Sequence, residues 1–326
     1  MPIVVNSNSS ATTASFNLSR ANDALRKSLG RLSSGNRINN PADDAGGLAV
    51  AYKLNSKVGR TSAIMQNTQN ALSYLQVQDS GLQTAGKIVD RMAELRVMSQ
   101  DITKNTQDIE NYSKEFVELQ SQLNQVSKEK FNGISLFASS SATSIDGILN
   151  HIDTTEAEVE KYGELAYDTF SRTLLTHDSG VSTSGSIKIN VVNFQFMLSI
   201  GTLSSGAAAG TSIDLGNING ANSGTGVDSG FISDITEVNV SQFTDIIERI
   251  ADMRAENGAE QNRVLNTMDL LQTNLTNLEA AHGRIMDTDI ALESTRFAKH
   301  NILVQASAAM TAQANQLTNV ALQLIG

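Results

Sequence analysis

The chain has 326 residues and a net charge of -10, with no cysteine, no tryptophan, 5% aromatic residues and prolines only at Pro2 and Pro41. The acidic balance argues against general nucleic-acid binding, which needs a basic surface. The missing cysteine excludes disulfides, thiolate chemistry and Cys-ligated zinc.

Scarce proline permits long helices, because proline removes a backbone donor and clashes inside a helix. The start, MPIVVNSNSS, lacks a basic n-region and does not read as a secretory signal peptide. No segment approaches the roughly 18 to 20 apolar residues that cross a bilayer, so no stable membrane insertion is expected. Charge is uneven along the chain. Between Met1 and Asn40, Arg20, Arg26, Lys27, Arg31 and Arg37 stand against Asp23 alone. Such an end could meet anionic lipid or the acidic surface of a neighbouring subunit, and the acidic balance elsewhere favours the second.

The first apolar series is Leu18, Ala21, Leu25, Leu29 (offset by one) and Leu32. Steps of three and four place such residues on one helix face. In SSGNRINNPADDAGG, Asn40 suits a helix cap, Pro41 the first helical position and Asp43 the first turn. Gly46 and Gly47 weaken a rigid helix there. A second helix is expected from about Lys57 to Asn105, with Leu75, Leu82 and Val89 recurring at seven. A third runs from about Asp108 to Lys130, with Ile109, Tyr112, Phe116, Leu119, Leu123 and Val126 as an unbroken heptad seam. Phe131 to Gly133 is expected to end it, since glycine readily takes the left-handed closing conformation.

The middle reads differently. Thr154 to Thr176 suits a helix. Ser186 to Ile200 is β-branched and aromatic with partial alternation, which suits a strand or hairpin. Gly201 to Gly230 is rich in Gly, Ser, Ala and Asn. Turns and short strands fit it, with disorder as the rival reading. Helix resumes near Asn239, where Val264, Met268, Leu271, Leu275, Leu278, His282 and Ile285 again step by four and three. At the end, Leu303, Met310, Leu317 and Leu324 recur at seven. An amphipathic helix must bury its apolar face. The two termini are therefore expected to pair, with the pair packing on other copies. The fold class is mainly α: helical-bundle and coiled-coil rods from both chain ends, around a small middle with β-hairpins.

Three segments, in this order, resemble the bacterial flagellins. They are LRKSLGRLSSGNRINNPADDAGGLAV (Leu25 to Val50), VSKEKFNGISLF (Val126 to Phe137) and AAHGRIMDTDIALESTRFAKHNILVQASAAMTAQANQ (Ala280 to Gln316). The resemblance implies a subunit that polymerises into the flagellar filament, exported unfolded and added at the distal tip. It implies residues 1–44 and 289–326 as the two parts of an inner-tube coiled-coil domain. Residues 45–185, with an inserted helix, and 236–288 would form the outer-tube rod, and 186–235 a short variable region. The implied partners are many copies of itself, the flagellar export apparatus, an export chaperone, the filament cap and hook-filament junction proteins. The seams Leu18, Ala21, Leu25, Leu29, Leu32, Leu303, Met310, Leu317 and Leu324 would pack subunits together. Arg91, Leu95 and Glu115 fall where a host innate immune receptor contacts many flagellins, although Arg96 stands where that pattern has a small residue. A secreted helical adhesin or a hook-filament junction-like protein is the alternative.

Site-like features have plainer explanations. His151, His177, His282 and His300 form no HExxH or other close metal spacing. Asp43 and Asp44 suit a helix start rather than acid–base work. Gly46 and Gly47 lack phosphate-loop spacing. No cofactor, metal or catalytic residue is expected. Asn-x-Ser/Thr triplets begin at Asn8, Asn17, Asn111, Asn239 and Asn274, as a chain this rich in those residues produces by chance. The resemblance implies O-glycosylation on exposed Ser or Thr, with candidates among Ser204 to Ser229.

Overall fold

The computed structural model describes residues 8–138, 150–152, 169–200, 213–214, 232 and 234–325. The long helices are α1 (Ser9–Ser34), α2 (Ala45–Ser99), α3 (Thr106–Ser127), α4 (Val240–Met286) and α5 (Ile290–Ile325). Short strands occupy the middle, so the chain is mainly helical with a small β region. It divides into two compact units, Met1–Arg60 with Asn274–Gly326, and Thr61–Thr273.

In the first unit, α1 and α5 pack side by side. They run antiparallel, because Asn8 donates to the Ala314 carbonyl at 2.8 Å while Arg31 lies 3.9 Å from Glu293. The Asn8 side chain caps α1 by accepting the Ala11 N–H at 3.0 Å. The helix stops at Gly35, whose φ of 72° lets its N–H reach the Arg31 carbonyl. The connection after α1 pairs with the connection before α5. Asn36 bridges Asp287, the Thr288 N–H bonds to the Gly35 carbonyl at 2.9 Å, and the Arg37 N–H bonds to the Met286 carbonyl at 2.6 Å. Arg37 also donates twice to the Ile285 carbonyl, which the end of α4 leaves without a helical partner.

The start of α2 corrects the sequence reading. Asn40 to Asp43 form a turn closed by the Asp43 N–H on the Asn40 carbonyl, with Pro41 in the second position that its fixed φ suits. The cap is Asp44, whose carboxylate accepts the Gly47 N–H at 2.8 Å. α2 therefore begins at Ala45, twelve residues before Lys57, and runs through Gly46 and Gly47 without a break. A Cβ at Gly47 would strike the Asp44 carboxylate, so glycine permits the cap rather than weakening the helix.

In the second unit, α2 buries Thr61, Thr68, Leu75, Leu82 and Val89, and α4 buries Phe243, Ile250, Asn257, Val264 and Leu271. Both series recur at seven, which is the interval of helices packed as a coiled coil. α3 adds Phe116, Leu123 and Val126 to the same core. Its start is a reciprocal capping box between Asn105 and Asp108. Phe116 meets Phe243 edge to face at 6.2 Å. One polar layer crosses this core: Asn257 donates to the Gln78 amide oxygen at 2.7 Å, and Gln78 donates to the Leu136 carbonyl at 3.0 Å. A satisfied polar layer of this kind favours one register of the helices over its neighbours.

α3 ends at Ser127, so Phe131 to Gly133 does not terminate it. Asn132 and Gly133 instead make the tight turn between β1 (Lys130–Phe131) and β2 (Ile134–Ser135), with φ of 50° and 81°. A three-stranded antiparallel sheet follows in the order β3 (Asn150–Ile152), β4 (Thr169–Leu175), β5 (Ser186–Val191). The helix expected over Thr154 to Thr176 is thus strand from Thr169 onward, where alternate side chains pair with β5; residues 154–168 lie outside the described residues. The strand expected over Ser186 to Ile200 holds through Val191. It gives way to a helical turn at Phe194–Met197, then to β6 (Ser199–Ile200) paired with β7 (Ile213–Asp214). The remainder of Gly201 to Gly230 lies outside the described residues.

Candidate assembly surfaces

α5 meets α1 through Glu293, Phe297, His300, Val304, Ser307, Thr311 and Ala314, which are buried or half-buried. Their steps alternate four and three, so they form one heptad stripe. The stripe is narrow, with small and polar residues that let two helices lie close. α1 answers with Ala14, Leu18, Ala21, Leu25, Ser28 and Leu32.

This register revises the expected pairing of the termini. Leu18, Ala21, Leu25 and Leu32 do turn toward α5, whereas Leu29 is 54% exposed. Leu303 and Met310 sit one residue before the half-buried Val304 and Thr311, and are 42% and 64% exposed. One residue is 100° around a helix, enough to take a side chain out of the seam. Ile302 beside them is also exposed, as are Phe16 and, on α2, Val50 and Tyr52. The side chains of Leu317 and Leu324 lie outside the described residues, although their backbone is helical.

An ionic group stands at one end of the α1–α5 pair. Glu293 is buried, which alone would raise its carboxyl. A hydrogen bond from Ser28 and the Arg296 and Arg31 guanidiniums outweigh burial and hold it below its ordinary value. Arg296 donates to it at 3.3 Å. Lys27 pairs with Asp43 at 2.6 Å, and that hydrogen bond chiefly lowers the Asp43 carboxyl.

In the second unit, Arg91 and Glu115 form a partly buried ion pair at 2.8 Å, and Arg91 also reaches Glu94 at 3.0 Å. Leu95 is fully buried in the helical core. The core covers Leu95, four residues on from Arg91, while the Arg91 side chain stays partly exposed. Arg96 has an internal role that its sequence position did not reveal. It donates to the Val238 and Thr236 carbonyls and to Ser99, fastening the end of α2 to the chain that enters α4. Among the described residues, no group of three His, Asp or Glu is placed to hold a metal ion.

These features, two paired terminal helices and a helical core with short strands between them, accompany a match at both ends of the chain. Residues 5–142 match the bacterial flagellin N-terminal helical region, and residues 240–325 the bacterial flagellin C-terminal helical region. The flagellar filament 33 kDa core protein of Treponema phagedenis is 30% identical over 99% of this chain and 100% of its own length. The chain belongs to the bacterial flagellin family. Flagellin of Bacillus subtilis strain 168 is 29% identical over 98% of this chain and 99% of its own. Flagellin A of Vibrio anguillarum is 30% identical over the full length of both. A solved Vibrio parahaemolyticus protein described as flagellar hook-associated shares the fold at a TM-score of 0.51, with 14% identity over 75% of this chain and 100% of that one. As a flagellin, the chain is a structural subunit of the extracellular flagellar filament. No helix among the described residues is long and apolar enough to cross a membrane.

Proposed function

We propose that copies pack through the outward faces of α1 and α5, and that Leu303 and Met310 supply the apolar contact on α5. One observation carries this reading. The α1–α5 pair completes its own seam and still leaves Ile302, Leu303 and Met310 uncovered. Apolar side chains on a helix gain about 1.5 to 3 kcal/mol each when fully covered. Leu18, Ala21, Leu25 and Leu32 act within one subunit, by holding α1 against α5, while Leu29 reaches outward. Leu317 and Leu324 continue the same heptad series and are assigned to the same face. Residues 1–44 and 289–326 then line the inner tube, 45–185 and 236–288 form the outer tube, and 186–235 is the variable part.

The test compares Leu303→Asp, Met310→Asp and Leu317→Asp with the unchanged chain in seeded polymerisation. Circular dichroism and protease resistance of Thr61–Thr273 report the fold. The expected result is a folded monomer that adds to seeds at least tenfold more slowly. Normal polymer yield from all three variants would sink the assignment.

Further partners belong to the same reading: the export apparatus and an export chaperone that handle the unfolded chain, the filament cap at the growing tip, and the junction proteins below. A host innate immune receptor is assigned to Arg91 and Glu115 only, since Leu95 is core. Arg91 is already held by Glu115 and Glu94, so a receptor must displace an ion pair to use its guanidinium. Receptor binding by Arg91→Ala monomers checks this, and unchanged affinity removes the site.

A further inference from the structure

We propose that Asn132 is a spontaneous modification site, at which the folded chain converts its side-chain amide to aspartate or isoaspartate. An Asn–Gly pair reacts in one way wherever the backbone allows. The Gly133 backbone nitrogen attacks Cγ of Asn132 and forms an N–C bond. The bond from Cγ to Nδ2 breaks, and Nδ2 leaves as ammonia with the proton from the Gly133 N–H. Water then adds to either carbonyl of the five-membered imide and opens one of its C–N bonds. The product is aspartate, or an isoaspartate whose main chain runs through the former side chain.

The described residues contain this dipeptide in two opposite settings. Asn132–Gly133 is an exposed turn with φ of 50° and 81°, and the Asn132 side chain makes no hydrogen bond among the described residues. Glycine has no Cβ to shield its nitrogen, and space around it is open. Ring closure requires the backbone to leave the turn conformation. The β1–β2 hairpin that resists this is short: Lys130 pairs with Ser135 and Phe131 with Ile134, the Leu136 N–H bonds to the Glu129 carbonyl at 3.2 Å, and Tyr74 donates to the Ser135 carbonyl at 3.1 Å beyond the turn. Two-stranded hairpins of this length are marginal, and such segments open locally without global unfolding. Asn257–Gly258 lies inside α4. Asn257 is 3% exposed, donates to Gln78 at 2.7 Å and accepts from Gln261 at 2.6 Å. Its Cγ is held by two partners, and the following nitrogen is held in the helix. A third pair, Asn219–Gly220, lies outside the described residues.

Isoaspartate would lengthen the main chain by one methylene and add a negative charge to the turn. The two-pair register could not persist, and Phe131 would lose its edge-on contact with Tyr74 at 6.2 Å. A subunit outside the cell is not renewed by synthesis in place, so the change would accumulate with age.

The experiment incubates the full chain in mildly alkaline buffer, folded and in denaturant, and follows both sites by peptide mass spectrometry. Isoaspartyl methyltransferase labels the isomerised product. In the folded chain Asn132 is expected to convert at least tenfold faster than Asn257, while in denaturant the two rates should agree within a few-fold. Asn132→Gln should lose the label at that position. Equal folded rates at the two sites, or an inert Asn132 in a folded chain whose denatured form converts, would overturn the proposal.

Discussion

Glu260 carries a carboxyl into a crowded place on α4. It accepts the Asn190 N–H at 2.9 Å, on the edge of β5 away from β4, while Gln78 donates to the Asn190 carbonyl at 3.4 Å. Two helical side chains thus occupy backbone groups that an open strand edge would offer to another chain. Burial pushes the Glu260 carboxyl up to about 7, aided by Glu256 and opposed by the Asn190 hydrogen bond and Arg263. The folded value exceeds the unfolded one, so folding favours the protonated form. Its contribution is full below about pH 4.5, is lost as pH rises to about 7, and is flat above that. Allowing for its partial exposure, Glu260→Gln should remove about 1 to 2 kcal/mol of pH dependence in that window. Urea unfolding at pH 5 and pH 8 checks this. An unchanged difference between the two would show that Glu260 is not the titrating group. A second residue-scale prediction concerns glycines. A Cβ at Gly81 would lie 2.8 Å from the Phe137 ring, which is backed by Phe194 at 4.8 Å. Overpacking costs about 1 to 3 kcal/mol and exceeds the helical gain of about 1 kcal/mol from alanine. Gly81→Ala should therefore destabilise. Gly59→Ala, with nothing nearby, should stabilise by about 0.5 to 1 kcal/mol. Denaturation midpoints of opposite sign are the expected pair of results.

At the scale of elements, α1 and α5 depend on each other more than α2 to α4 do. Their shared stripe sets a few leucines, Phe297 and Val304 among alanine, serine, threonine, histidine and glutamate, and Leu29, Ile290, Leu292, Ile302 and Leu303 are exposed. Isolated helices are marginal in water, so a thin seam gives a pair of low local stability. In monomers, amide exchange should be faster in Ser9–Ser34 and Ile290–Ile325 than in the buried half of α2, and should slow on polymerisation. Equal protection in monomer and polymer would count against α1 and α5 as the assembly elements. α3 offers a control outside the α1 and α5 faces proposed for assembly. Asn105→Ala removes half of its capping box and should cost about 1 kcal/mol, read from the unfolding midpoint, with seeded assembly unchanged.

Across the whole molecule, charge is divided between the two units. Met1–Arg60 with Asn274–Gly326 carries 11 Lys and Arg against 7 Asp and Glu; the totals of 24 and 34 leave 13 against 27 for Thr61–Thr273. The first unit is therefore +4 and the second -14. Polymerisation gathers many copies of the acidic unit, and their mutual repulsion outweighs what the smaller opposite charge can offset. Salt screens such repulsion over about 8 Å at physiological strength. Seeded growth should accelerate as salt rises from very low values toward that strength. Slower growth would mean that contacts between opposite units of different copies dominate.

The sequence by itself determined the long helices, their apolar periodicity and the family. Period and spacing are local properties, and two of the three flagellin-like segments lie within long helices and the turns between them, while the third spans the end of α3 and the β1–β2 hairpin. The seam from Ile109 to Val126 and the series from Val264 to Ile285 could be read without coordinates for that reason. Boundaries depended on details that spacing does not contain. Asp44 rather than Asn40 caps α2, because Pro41 and Asp43 close a turn first. Asn132 and Gly133 turn a hairpin rather than end a helix, because α3 has already stopped at Ser127. Only the tertiary structure decided which of several apolar stripes is internal. Leu303 and Val304 are neighbours of similar hydrophobicity, and periodicity admits a seam through either. The register of α1 against α5, anchored by Asn8 on Ala314 and by Glu293 beside Ser28 and Arg31, turns Val304 inward and leaves Leu303 outside. Leu95 shows the same limit from the other side: helical spacing placed it beside Arg91, but burial follows from what packs against the helix, and there the core covers Leu95 and stops short of Arg91.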